Sequence, residues 1–406
     1  MDTITHGIAG ALIGKAYFAR PEGSTRARVG IAAVTIGAMF PDGDFVSYEF
    51  SRNVVAMIEY HRGFTHSFLA LPLFAVLLAW ATRWVLRRRG RESPSLWFLV
   101  VAYGVGIASH IVLDAMTSYG TRIWNPVAGV RVAWDLLFII DFTFTALVLV
   151  PQVAAWVSSS KTTNSRGRGI GMWALFSAAG WAVWLLCSKI GLPFSLWVAA
   201  LITVFFAVIF LLPAFLGHHL EITRERWCRV GVYATLAYLA ACGVQHHRAL
   251  QRVSEFANRT GFAIDRLGAL PSPPSLFVWN GLIRTPAGVY ISHFDLRDKE
   301  APEFVFVKDS APNDFVARAV ELKDVQTYWN FARFPMIHTE RQGDREIVDF
   351  GDLRFRTLPG RRVVPLTLQV IFDRRGNFLR ERWLRVGDYL SDDADNGDAE
   401  VPQGTP

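Results

Sequence analysis

Four long apolar runs dominate the first half of this 406-residue chain. They extend over residues 96–116, 132–157, 170–190 and 192–217 and contain few charged side chains. A helix needs about 20 mostly apolar residues to cross a bilayer, because each residue advances it by only about 1.5 Å. The runs therefore predict a polytopic membrane protein, and a hydrophobic content of 51% agrees with that class.

The apolar pattern predicts a mainly α fold, with a membrane bundle of about eight helices over residues 1–247 and a small soluble β-rich (α+β) domain after it. The helices are expected at 3–19, 29–41, 67–86, 96–116, 132–157, 170–190, 194–216 and 228–246. Strand-like runs predict an extramembrane domain over 248–390, with one helix near 311–332; the runs are 276–279, 289–292, 304–307, 346–350 and 364–372. Residues 391–406 are acidic and contain Gly and Pro, which predicts a disordered tail.

Basic residues in alternate loops give the bundle an orientation. Residues 1–247 carry a net charge of +8 and the remainder −1, so the basic excess belongs to the membrane half. The positive-inside rule makes the loops that hold it cytoplasmic; their basic residues are Arg20, Arg26, Arg28, Arg83, Arg87, Arg88, Arg89, Arg91, Lys161, Arg166, Arg168, Arg224, Arg226 and Arg229. Both termini and the C-terminal domain are then expected on the outer, periplasmic side. The basic residues set topology in this interpretation, and no nucleic-acid partner is expected.

Seven His and Asp side chains in the first 114 residues are candidate metal ligands. They are His6, Asp42, Asp44, His61, His66, His110 and Asp114. His110 and Asp114 are four residues apart, so in a helix both side chains lie on one face and can reach one ion. Ionisable groups at membrane depth are costly and are usually functional or paired.

The predicted orientation places all seven candidates at the outer ends of four helices, which favours one composite site. His61 and His66 do not share a helical face, so one of them is expected to bind substrate or to support a ligand. One of Asp42 and Asp44 is expected to cap the following segment. Two further carboxylates, Asp135 and Asp141, fall in the predicted helix 132–157 and are expected to pair with Arg122 or Arg131.

Imidazole nitrogens mixed with carboxylates suit a divalent cation, with zinc favoured and manganese or iron as alternatives. Seven candidates exceed the three or four protein ligands of a typical catalytic zinc, so one ion or two ions sharing a bridging carboxylate are both consistent with the sequence. A bound metal activates water at neutral pH. Arg62 and Asp44 are the candidate catalytic residues, and Arg62 is expected to stabilise an anionic substrate or transition state; a headgroup-facing role for Arg62 is the alternative.

Four motifs in order resemble a known family. They are Thr5-His6-Gly7, Pro41-Asp42-Gly43-Asp44, His61-Arg62-Gly63-Phe64-Thr65-His66-Ser67, and His110 to Thr121 with Leu113, Asp114, Thr117, Tyr119 and Gly120. Together they resemble the YdjM-like inner-membrane proteins, described as LexA-regulated, membrane-bound, metal-dependent hydrolases. The resemblance covers about residues 1–130 and implies a location in the bacterial inner membrane.

That family is thought to be distantly similar to zinc-dependent phospholipase C and the zinc single-strand nucleases. The similarity implies that His110 and Asp114 form an HxxxD metal-binding pair, with Asp114 bridging two ions. His66 and either Asp42 or Asp44 would complete the coordination of one ion. His6 would bind the other ion together with Asp114. No later His and Glu set for a third ion is evident, so a dinuclear or mononuclear site is expected.

The leading functional hypothesis is a membrane-bound metal-dependent hydrolase acting on a phosphoester in a lipid or envelope substrate. The first alternative is a non-enzymatic membrane protein whose metal site is structural or senses metal. The second alternative is a transporter, for which paired broken helices of an inverted repeat would be expected and are not evident.

Overall fold

The computed structural model describes residues 1–45, 54–158, 165–189, 195–216, 223–272, 275–356 and 364–384. The predicted tail 391–406 lies outside these residues. The helices in the described part of residues 1–260 are α1 (Thr3–Tyr17), α2 (Thr25–Met39), α3 (Val54–Tyr60), α4 (Leu71–Arg88), α5 (Leu96–Ala115), α6 (Phe142–Ser158), α7 (Ser165–Lys189), α8 (Leu196–Leu216) and α9 (Arg224–Thr260). Short 3₁₀ turns at Phe40–Asp44 and Phe64–His66 follow α2 and precede α4.

Each of the eight predicted helices has a counterpart in the structure, but fewer qualify as spans on length and hydropathy alone. Within the described residues, Leu96–Ala115, Ser165–Leu186 and Arg224–Thr260 are long and apolar enough to cross a membrane. The segments Val54–His66 and Leu71–Arg88 also qualify if taken together, and they meet at an angle of 74°. Three spans, or four with the bent pair, are therefore supported by these criteria.

The prediction of a helix over 132–157 is wrong in its first ten residues. Helix α6 begins at Phe142 because Asp141 caps it, accepting a hydrogen bond of 2.9 Å from the Phe144 amide. The preceding segment instead folds back on the end of α5, where the amides of Trp134 and Leu136 donate to the carbonyls of Ala115 and Met116. Asp135 therefore lies in an irregular loop, with a positive φ of 55°.

Helices α1, α2 and α5 pack closely because glycines line their contacts. A Cβ atom on Gly106 would come within 2.3 Å of the Val34 carbonyl oxygen, and one on Gly37 within 2.7 Å of the Tyr103 carbonyl oxygen. The backbones of α2 and α5 are thus in direct contact. This contact fixes the turn after α2 beside the C-terminal end of α5, where His110 and Asp114 lie.

The C-terminal region contains two antiparallel four-stranded sheets. The first sheet has the order β1 (Arg266–Pro271), β2 (Val278–Thr285), β3 (Gly288–Asp295), β4 (Val305–Lys308), and the second has β5 (Pro335–Gln342), β6 (Arg345–Asp352), β7 (Leu368–Asp373), β8 (Phe378–Trp383). The first sheet packs on the C-terminal end of α9, where Ala249 and Val253 lie in one buried apolar cluster with Trp279 and Ile283. Helix α9 ends at Thr260, 14 residues beyond the predicted end at 246.

The predicted strands and helix of this region have observed counterparts, with additions. All five strand-like runs overlap observed strands, whereas β1, β5 and β8 were not predicted. The single helix expected near 311–332 is two helices, α10 (Asp314–Val320) and α11 (Lys323–Phe331), because Leu322 between them has an extended backbone conformation.

The second sheet and its helices lie against the loops that carry the candidate ligands. Ile58 of α3 is buried in the same apolar cluster as Tyr328 of α11 and Val370 of β7. Arg354 donates to the carbonyls of Ser118 and Tyr119 at 3.0 and 3.3 Å. Asp135 forms a two-point ion pair with Arg333, both distances being 2.7 Å, and not with Arg122 or Arg131 as expected from the sequence.

The close contact of α2 and α5 gives a testable prediction. Gly106→Ala inserts a methyl group against the backbone of α2, and overpacking of this kind costs about 1–3 kcal/mol. We expect a lower melting temperature for the detergent-solubilised protein. Gly104→Ala is the matched control, because a Cβ there meets its nearest described neighbour at 3.8 Å. Equal melting temperatures for the two variants would contradict the close packing.

Candidate metal centre

Four structural elements bring the candidate ligands together at one end of the bundle. His6 lies in the first turns of α1, and the 3₁₀ turns Phe40–Asp44 and Phe64–His66 carry the next carboxylates and His66. His110 and Asp114 occupy successive turns of one face of α5. Apart from the partly exposed Asp42, Asp44 and His61, these side chains are buried.

Asp42, His66, His110 and Asp114 form the central group. One ligand atom from each lies within 4.8 Å of the others. His66 Nε2 lies 3.0 Å from His110 Nε2, and each of these nitrogens lies 3.3–3.5 Å from Asp42 Oδ1 and from Asp114 Oδ2. Metal–ligand bonds of about 2.0–2.1 Å in a tetrahedron give ligand–ligand distances of about 3.3 Å. The donor set therefore fits a divalent ion at its centre.

The hydrogen bonds of the two imidazoles support this fit. His110 Nδ1 lies 2.6 Å from the Ala38 carbonyl oxygen, which only accepts, so Nδ1 carries a proton and donates it. In the neutral ring Nε2 then has a free lone pair, and it faces the other three ligand atoms. A ligand histidine usually has its second nitrogen fixed by a carbonyl or carboxylate in this way.

Asp44 lies outside the central group and supports it. Its Oδ2 lies 3.3 Å from His66 Nδ1 and accepts a hydrogen bond of 2.7 Å from the Thr65 hydroxyl. His61 Nδ1 lies 2.8 Å from its Oδ1. Asp44 therefore orients His66, and His61, a candidate ligand from the sequence, contacts Asp44 rather than the four central atoms.

The carboxylate of Asp114 faces two sides. Its Oδ2 faces the central group, whereas its Oδ1 lies 3.1 Å from His6 Nε2 and 2.5 Å from the Met1 amino nitrogen. The His6 ring stacks on His110 with centroids 3.7 Å apart. Asp114 thus lies between the central group and His6. Each of its two oxygens has an imidazole nitrogen beside it that could bind a metal ion together with that oxygen.

Arg62 is directed into the site by its backbone conformation. Its φ is +58°, in the left-handed region that residues with a Cβ rarely adopt, and its amide donates to Asp44 Oδ2 at 3.3 Å. The guanidinium is buried, donates to the Thr117 hydroxyl at 2.8 Å, and places Nε 2.9 Å from Asp114 Oδ2. Arg62 therefore faces the ligands and is not a headgroup-facing side chain.

Buried polar atoms at the centre lack hydrogen bonds within the described part of the chain. They are Asp114 Oδ2, His6 Nδ1 and Arg62 Nε. Arg62 Nε and Asp114 Oδ2 are 2.9 Å apart as an ion pair without hydrogen-bond geometry. A buried carboxylate is costly unless it is paired and hydrogen-bonded, and a metal ion beside Oδ2 would complete its compensation. Burial raises the pKa of the Asp42 carboxyl, but the neighbouring imidazoles of His110 and His66 outweigh it and hold that pKa well below its usual range. Asp44 behaves likewise beside His61 and His66, so both carboxylates are ionised at neutral pH.

Some contributors to the site were outside the candidate list from the sequence. The Ala38 carbonyl could not be found from residue type, because any residue supplies one. Thr65 and Thr117 stand beside candidate residues in the motifs, and their hydroxyls contact Asp44 and Arg62. A Thr next to a candidate ligand is the signal that could have identified them.

Removal of a central ligand should abolish stoichiometric metal binding. We expect His66→Ala, His110→Ala and Asp114→Asn proteins to retain little zinc after purification and dialysis, measured by elemental mass spectrometry. His61→Ala removes a partner of Asp44 and leaves the four atoms in place. It should bind zinc in full at saturating concentration, with an affinity lowered about 10–100-fold. Full metal content in Asp114→Asn would exclude this site.

Comparison with known proteins agrees with the motifs. Residues 1–191, which include all seven candidates, match the family described as YdjM inner membrane protein. Comparisons with curated proteins and with solved structures find no significant match. The match over residues 1–191 confirms the resemblance to the YdjM inner membrane protein family that the four motifs indicated.

Proposed function

We propose that the chain is a membrane-bound metal-dependent hydrolase acting on a phosphoester of a lipid or another envelope component. The observation that carries the proposal is the convergence of Asp42, His66, His110 and Asp114, with a buried arginine beside them. A divalent ion held by this set would supply Lewis acidity and an activated water at neutral pH. We favour zinc, with manganese or iron as alternatives for mixed nitrogen and oxygen ligands.

The surroundings of the site suit an anionic substrate. Arg62 and Arg131 both lie over the ring of Tyr119, at 4.9 and 5.5 Å from its centroid. Arg131 donates to the carbonyls of Gly120 and His61 at 3.1 and 3.3 Å and has no carboxylate partner among the described residues. Burial lowers the pKa of Arg131 to about 10, so its guanidinium keeps its charge at neutral pH. Two guanidinium groups beside the metal ligands favour a phosphoester over a neutral ester.

Two ions with Asp114 as the bridge form part of the proposal. The two oxygens of Asp114 face different partners, with the central group on one side and His6 on the other. Two ions clamping a phosphoryl group would position the attacking and leaving oxygens. Within such a site, Asp44 would keep the proton on His66 Nδ1, and Arg62 would neutralise charge that develops on the substrate.

The membrane arrangement that we propose keeps the eight predicted helices in or at the inner membrane. The alternate basic loops then lie in the cytoplasm, and the metal centre and the C-terminal sheets face the periplasm. A site at the outer end of the bundle is at the depth of lipid headgroups, which would supply phosphoesters.

A structural or metal-sensing role is the second candidate, because His6, His66, His110 and Asp114 have no exposed surface. A site buried on all sides is typical of structural metal ions. The partial exposure of Asp42 at the edge of the group favours catalysis, since it leaves one ligand next to solvent.

Hydrolysis of a chromogenic phosphodiester, bis(p-nitrophenyl) phosphate, tests the proposal. The zinc-loaded protein should hydrolyse it, a chelator should stop the reaction, and added zinc should restore it. Arg62→Gln should lower kcat by about 10²–10³-fold, because it removes a donor that stabilises the negative charge of the transition state. Its zinc content should equal that of the parent protein. A folded, zinc-loaded protein without activity on a panel of phosphodiesters and phospholipids would favour the structural role.

The number of ions can be tested separately. We expect His6→Ala to lower zinc content from two ions per chain to one, because His6 contacts only Asp114 Oδ1 among the central carboxylate oxygens. The His293→Ala variant is a control, since His293 lies on β3 away from the bundle. One ion in both the parent protein and His6→Ala would contradict the dinuclear site.

A further inference from the structure

A large cavity lies at the end of the bundle opposite the metal centre. Its volume is about 1120 Å³, and the loop between α1 and α2 and the beginning of α9 line it. Helix α1 has its His6 end at the metal centre and its Tyr17 end at this cavity. A helix of 15 residues is about 22 Å long, so the cavity is separate from the metal centre.

Six arginines line this cavity and only two carboxylates do. The arginines are Arg20, Arg26, Arg28, Arg224, Arg226 and Arg229, and the carboxylates are Glu22 and Glu225. The lining residues therefore carry a net charge of +4 at neutral pH. Two chain segments about 200 residues apart supply the arginines, so the charge is concentrated by the fold and not by one basic run.

Most of this charge is not neutralised by the described residues. Glu225 pairs with both Arg20, at 2.7 Å, and Arg229. Arg26 lies over the Phe98 ring and Arg28 donates to the Gly23 carbonyl. Neither of these, nor Arg224 or Arg226, has an ion pair with a carboxylate among the described residues. Within the described part of the chain, no carboxylate competes with an anion for these four guanidinium groups.

Aromatic side chains place the cavity at the level of lipid headgroups. Tyr17, Trp84 and Trp97 are exposed at the same end of α1, α4 and α5. Exposed Trp and Tyr side chains prefer the interface between the hydrocarbon and water. Basic pockets between membrane helices bind phosphorylated lipid headgroups.

We propose that this cavity binds the headgroup of an anionic phospholipid, with its phosphate held by Arg28, Arg224 and Arg226. Guanidinium groups recognise phosphate through paired hydrogen bonds, and three of them line this one cavity. Lipid binding here is independent of hydrolysis at the metal centre, because the two sites lie at opposite ends of the bundle.

Native mass spectrometry of the full-length protein released from detergent micelles tests this proposal. Phosphatidylglycerol and phosphatidylcholine are titrated against the parent protein and two triple variants. Arg28→Gln/Arg224→Gln/Arg226→Gln removes charge from the cavity. Arg87→Gln/Arg89→Gln/Arg91→Gln removes the same charge from exposed positions at the same end of the bundle that do not line the cavity.

The parent protein should bind phosphatidylglycerol in preference to phosphatidylcholine. The cavity variant should lose at least about tenfold in phosphatidylglycerol affinity, since it removes the charged donors that hold the phosphate, and the control, which removes none of them, should lose less than about threefold. Arg28→Lys/Arg224→Lys/Arg226→Lys keeps the charge and should recover part of the binding, which separates loss of charge from loss of fold. Equal losses in both Gln variants, or none in the cavity variant, would overturn the proposal. So would displacement of the lipid by equimolar inorganic phosphate, which would indicate a site for free anions.

Discussion

The burial of the Asp114 carboxylate is the constraint on which the first half of the structure depends. An isolated carboxylate without solvent costs many kcal/mol, so its surroundings must supply positive charge or protons. His6, His66, His110 and Arg62 all direct nitrogen atoms at it. These residues come from α1, the loop before α4, and α5. The need to compensate the charge of Asp114 therefore brings three separate parts of the bundle into contact. The glycine contacts between α2 and α5 make that approach geometrically feasible.

The sequence predicted that the candidate ligands lie together, because their placement depends on two regular properties of the chain. Positions four apart share a helix face, and basic loops orient the spans; together these placed His6, Asp42, Asp44, His61, His66, His110 and Asp114 at one end. Which of these residues lie in the central group, and which support it, depends on side-chain directions in the irregular turns Phe40–Asp44 and Phe64–His66. No periodicity describes such turns. Asp42 and Asp44 are therefore equivalent in the sequence and distinct in the structure.

Errors in the fold prediction have a similar origin. Residues 132–141 are apolar enough to continue a helix, but Asp141 caps α6 and the segment before it bonds to the end of α5. Strands β1, β5 and β8 were not predicted because all three carry arginines and the first two carry prolines, and their pairing with β2, β6 and β7 outweighs local preference. The contacts of Phe331 and Arg354 with Tyr119 join residues more than 200 positions apart, and such contacts leave no local signal.

Helix α9 is one uninterrupted helix of 37 residues without proline. At about 1.5 Å per residue it is about 55 Å long, longer than the hydrocarbon core is thick. Its first turn lines the basic cavity, and its last turns are buried against Trp279 and Ile283 of the first sheet. Because no break separates its two ends, a tilt imposed at its first turn would displace the sheet that packs on its last turns. Helix α9 thus links the basic cavity mechanically to the first sheet, by a route that does not pass through the metal centre.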